Sequence, residues 1–234
     1  MTPAQLRDRF RRDIDDIKPA GSDESDLLFT DDSINDFIDE AHRVFVAETF
    51  YYHTLLELDV VATEADIALP DTFLDLRGNA GELVNAQRVV RKRALYEGVL
   101  SDDYGGMTSV LQFSDDTLAT PRFFSLDLEF NTLRLFPTPA EDDILRLSVY
   151  LEPDPIDFAT QDDLSTAFVM TNKHHVLCLL DGMKAIAYRV QDVDVYDPRQ
   201  AERWEASFRR KIADVRSERM RRRCRPQEIL YGGL

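Results

Sequence analysis

Long apolar runs are missing from this chain. The longest, Val176 to Leu180, falls far short of the roughly 20 residues a bilayer demands, so no membrane span is expected. The first eighteen residues alternate Arg and Asp without an apolar stretch, and no secretory signal is expected there. Cysteine is scarce. Cys178 and Cys224 fall on separate predicted helices and fit a reducing compartment, with folding in the cytoplasm, better than a disulfide scaffold. Catalytic fingerprints are missing too: no Gly-x-Ser-x-Gly occurs, and neither cysteine has a supporting context. Gly105-Gly106 and Gly78-x-x-Gly81 lack the strand and helix that flank a phosphate cradle, and read as turns in polar loops. Positive charge is in deficit, with 28 Lys/Arg against 44 Asp/Glu and a net charge of −16, which argues against a general nucleic-acid binder.

What positive charge there is gathers at one end. Residues 203–234 hold ten Lys/Arg against four Asp/Glu, whereas residues 1–202 hold 18 against 40. Nine of the ten are arginines, and guanidinium suits bidentate, partly buried carboxylate pairing better than ammonium does. Three readings compete for this segment: a nucleic-acid arm, a solvated helix end that complements the helix dipole, and an arm that docks on an acidic protein surface. In the docking reading the contacts are Arg216, Arg219, Arg221, Arg222, Arg223 and Arg225, with Ile229, Leu230 and Tyr231 as apolar anchors.

At 234 residues and 44% hydrophobic content the chain can bury a substantial core. Thr2, Pro3 and Gln5 form a helix-start signature, followed by Leu6, Phe10, Ile14 and Ile17 at helical spacing as far as Pro19. Thr30 opens a second helix with Ile34, Phe37, Ile38, Ala41 and Phe45 on one stripe, ending near Tyr51. From Leu55 the period changes to two, and strands are expected at Leu56–Ala62, Ile67–Leu69, Gln87–Ala94, Ser109–Phe113, Phe123–Phe130, Leu133–Phe136 and Ile144–Leu151. Asn131-Thr132 reads as a tight hairpin turn. Helical spacing returns in Val176, Leu179, Leu180, Met183, Ile186, Ala187 and Val190. A last helix starts at Asp197-Pro198 with Ala201, Trp204, Phe208, Ile212 and Val215 inward.

The expected fold is therefore α+β: a four-helix frame with an inserted antiparallel β module and an extended C-terminal arm. Its divisions are residues 1–54 (N-terminal helices), 55–155 (inserted β module), 156–225 (C-terminal helices) and 226–234 (arm).

Metal and catalytic sites draw little support. Adjacent His174 and His175 on a helix point about 100° apart, so they cannot grip one ion as an i, i+4 pair does, even with Asp181, Asp192 or Asp194 nearby. One is expected to be inward and hydrogen-bonded, the other solvated. No cofactor, metal or catalytic residue is assigned.

Three stretches together resemble one family. Leu6 to Asp13, with Thr30 to Ala41, resembles the N-terminal helices of head-to-tail adaptor (connector) proteins of tailed bacteriophages. Ala68 to Leu74 and Asn131 to Pro139 are similar to the β insertion of such adaptors, and His174 through Asp194, with Asp197 to Glu202 and Phe208, to their C-terminal helical pair. The resemblance implies a non-enzymatic virion protein, assembled in the host cytoplasm, that forms a homo-oligomeric, usually dodecameric, ring at the head–tail junction. It implies a portal protein as one partner and the next tail component, nozzle or tail tube, as another, with transient non-specific contact to genomic DNA in the channel. It also implies that the arginine-rich end engages the portal. Two readings of other classes stand beside it: a phage-encoded cell-wall hydrolase acting through loop carboxylates, and a DNA-binding packaging protein using the arginine tail.

Overall fold

The computed structural model describes residues 1–16, 27–92, 118–126, 131–164, 166–190 and 196–223. They form an α+β protein of two compact units, one built from residues 1–52 and 153–234, the other from residues 53–152.

The first unit is helical. Helix α1 (Pro3–Asp13) starts with the reciprocal Thr2/Gln5 capping box expected from sequence. It ends earlier than the Ile14 and Ile17 spacing predicts, because Asp15 turns left-handed (φ 59°) and buried Asp16 is drawn back. The Asp16 carboxylate accepts from the backbone N–H of Leu28 (2.8 Å) and Phe29 (3.3 Å) and from Arg11 (2.7 Å), so three donors offset its burial. Helix α2 (Asp31–Thr49) is capped by the Thr30 hydroxyl, which accepts from the Ser33 N–H. Helix α3 (Phe158–Gln161) is a single turn capped by Asp157. Four residues are too few to display a helical period, so the described residues hold five helices where four were expected. Helix α4 (Lys173–Ala187) and helix α5 (Pro198–Arg223) complete the unit.

One core joins these helices: Leu6 and Phe10 of α1, Ile34, Ile38 and Phe45 of α2, Leu179 and Met183 of α4, and Phe208 and Ile212 of α5. Gly182 lets α2, α4 and α5 approach, since a Cβ there would stand 3.0 Å from the Phe208 ring and 3.1 Å from Ala41 Cβ.

The second unit is a seven-stranded sheet, β1 (His53–Val60), β2 (Asp66–Ala68), β3 (Phe73–Leu83), β4 (Arg88–Lys92), β5 (Phe123–Ser125), β6 (Thr132–Phe136) and β7 (Asp143–Leu151), in the order β1-β7-β3-β4-β5-β6-β2. The edge strands β1 and β2 approach one another, so the sheet curls around Leu83, Leu133, Leu135, Leu145 and Leu147. Two expectations are corrected here. The sheet is mixed rather than antiparallel: β4 and β5 pair in parallel, Arg91 with Phe123 and Lys92 with Phe124, which the long stretch of chain between them permits. Gly78 and Gly81 are not turns but lie within β3, an eleven-residue strand unseen in the alternation. That strand pairs with β7 through a register break between Leu76 and Gly81. A Cβ on Gly81 would collide with Leu147 and sit 3.2 Å from the Arg146 carbonyl, so glycine is what admits β7. Asn131 adopts the left-handed conformation of a turn (φ 54°) before β6. The expected strand at Ser109–Phe113 and the pair Gly105-Gly106 lie outside the described residues.

Candidate docking site

Helix α2 stops where Phe50 turns left-handed (φ 50°, ψ 45°), and the Tyr51 N–H donates to Val46 O at 3.1 Å. Glycine or asparagine ordinarily fills that position, so a phenylalanine there needs support from elsewhere. The last turn of α2 also has no basic residue of its own to meet its exposed carbonyls. Arg219 of α5 meets both needs. Its Nη1 donates to Phe50 O at 2.6 Å and to Thr49 O at 3.3 Å, and its guanidinium lies 4.5 Å from the centre of the Tyr51 ring. Arg216 stands 5.6 Å from the Phe50 ring centre. On the other side of Tyr51 its hydroxyl is 3.2 Å from Nδ1 of buried His175, whose Nε2 is 3.6 Å from a Glu218 oxygen.

The nine expected docking residues thus divide. Arg216 and Arg219 fold back on the end of α2, so part of their charge serves the chain's own fold. Arg221 is exposed on the next turn. Arg222 and Arg223 continue the helix. Arg225, Ile229, Leu230 and Tyr231 lie outside the described residues, as does Cys224. The clamp on Phe50 and Tyr51 escaped sequence reasoning. Its only signal was an aromatic run, Phe50-Tyr51-Tyr52, at a helix end without glycine or proline.

The other candidate residues take ordinary structural places. His174 is exposed and His175 buried. Asp181 accepts from Ser207 at 2.6 Å and pairs with Lys211 at 2.7 Å. Asp192 and Asp194 lie outside the described residues, among which no group of three or more His, Cys, Asp or Glu is placed to hold a metal. A groove of about 410 Å³ runs between α4 and α5, floored by Leu177, Cys178 and Val215. Burial pushes the Cys178 thiol up, which keeps it protonated and a poor nucleophile.

No curated protein sequence matches this chain. The family model of the SU10 adaptor protein matches residues 1–229, nearly all of it; the chain therefore belongs to that family and has the structural role of a phage adaptor.

Proposed function

We propose that copies of this chain close into a ring that joins the portal vertex of the capsid to the tail and lines the passage for DNA. Family membership over residues 1–229 carries the reading. The contacts around such a ring are heterologous, one face of a subunit against a different face of the next, as cyclic closure requires. The division of charge along the sequence supports the same role. A body with 40 carboxylates against 18 cationic side chains repels phosphate, so a genome slides past rather than adhering. The arginines from Arg216 onward are then left for the portal, and the β unit for the next tail component.

Arg216 and Arg219 give the docking element a fixed base, since they tie α5 to the end of α2. Arg221, Arg222 and Arg223 follow on the next turn, and Arg225 with Ile229, Leu230 and Tyr231 complete the arm. A chain cut within α5 at Val215 would lose the clamp as well as the arm, so the informative cut is after Arg223. That truncated chain is expected to keep its far-UV spectrum while losing attachment to purified portal, read as ring-capped particles in electron microscopy. Attachment at full-length levels would refute the docking arm. Strong DNA affinity at physiological salt that disappears on the same truncation would favour a DNA-binding packaging protein instead.

A further inference from the structure

The outer faces of α2 and α5 carry opposite charge, and neither is matched among the described residues. Helix α5 holds ten Lys/Arg against four Asp/Glu. At about 100° per residue, Arg199, Arg203, Arg210 and Arg221 fall within about 40° of one another, roughly half a turn from the buried Ala201, Phe208 and Ile212. All four are exposed, and none has a carboxylate partner among the described residues. Between them the same face presents small side chains at Ala206, Ala213 and Ser217, which let another backbone come close, with Glu202 and Asp214 on its flanks. Helix α2 is the converse, with six carboxylates against one arginine, and that Arg43 is paired with Asp39 at 3.1 Å. Asp32, Asp36 and Glu40 are exposed, lie within about 80° of one another opposite buried Ile34, Ala41 and Phe45, and form no ion pair among the described residues.

Asp32 to Glu40 spans about 12 Å of helix, and within the longer arginine stripe Arg203 and Arg210 stand about 10 Å apart, at about 1.5 Å per residue, so this pair can meet the acidic stripe at once. Each stripe points away from the core of its own unit, so one copy cannot close the pairing by itself. An unmatched cationic face and an unmatched acidic face on one body are the complementary halves of a head-to-tail contact.

We propose that the arginine face of α5 in one copy of this chain packs on the acidic face of α2 in the next. The inference rests on the ring reading above and names its subunit interface. A second copy is the occupant that fits, because every copy presents both faces. Arginine over lysine on α5 suits bidentate pairing with the carboxylates of α2.

Sedimentation of the full chain at low ionic strength tests this in solution, with no portal present. Wild-type protein is expected to associate as concentration rises and to dissociate as salt is added. Asp36→Arg with Glu40→Arg, or Arg203→Glu with Arg210→Glu, is expected to weaken association at least tenfold, and all four changes in one chain to restore it. An equimolar mixture of the two reversed chains is expected to associate as well, because each supplies the face the other lacks. The restored variant also separates an interface effect from a folding defect. A wild type that stays monomeric throughout, reversals without effect, or a four-fold variant that stays apart would each overturn the proposal. Wild-type protein that self-associates in this way yet does not attach to purified portal would count against the docking arm alone.

Discussion

His42 sits on α2 at 1% exposure, and neither ring nitrogen has a hydrogen-bond partner among the described residues. Its ring lies edge-on to Phe168 at 5.5 Å, and burial lowers its pKa from 6.5 to about 4, with Asp39 opposing weakly. A histidine whose folded pKa lies below its unfolded one contributes no penalty above pH 6.5, where both states are neutral. Stability is then lost as pH falls from about 6.5 towards 4, because the unfolded chain takes up the proton first. The full difference is about 3 kcal/mol, and about 2 kcal/mol of it is lost by pH 5. Carboxylates titrate over the same range, so the informative quantity is the difference between wild type and His42→Leu, which keeps the volume roughly constant and removes the ionisable ring. Urea titrations at pH 8 and pH 5, followed by far-UV circular dichroism, measure it. The wild type is expected to lose about 2 kcal/mol more than the variant between the two pH values. At pH 8 the leucine is expected to be neutral or stabilising, since two unpaired nitrogens leave the core. Equal losses in the two proteins would refute the reasoning and mean that His42 charges freely in the fold.

Arg219→Met is expected to remove the donors to Phe50 and Thr49 and the contact with Tyr51, costing about 2 kcal/mol by thermal melting, while Arg221→Met, one turn exposed, changes stability by less than about 0.5 kcal/mol. Gly81→Val is expected to force β7 away from β3 at a cost of about 2–3 kcal/mol, with Gly78→Val far milder, because a Cβ at Gly78 meets nothing within 4 Å; denaturant midpoints of the two variants check the contrast.

The helices were legible because their signals are local. Thr2 with Gln5, Thr30 before Ser33, and Asp197 before Gln200 are caps complete within three residues, and the stripes Ile34–Phe45 and Ala201–Val215 repeat at the helical period regardless of what they pack against. The family resemblance was carried partly by these same helical stretches and partly by Ala68 to Leu74 and Asn131 to Pro139 in the β unit. Strand β3 was not legible, because its pattern is broken by a bulge and two glycines, and the reason for Gly81 lies on β7, over sixty residues away in sequence. The parallel β4–β5 pairing was hidden for the same reason.

The arginine-rich segment shows the boundary most clearly. Its composition and helical spacing, written in the sequence, determined that a cationic helix end exists and which residues lie on one side of it. Spacing also puts Arg219 seven residues beyond inward Ile212 and Arg221 on the opposite side, but only the tertiary structure decided what Arg219 meets there, the bare carbonyls of Thr49 and Phe50, brought to α5 from about 170 residues earlier in the chain. Periodicity belongs to a segment; a partner for a charge belongs to the fold that brings distant segments together.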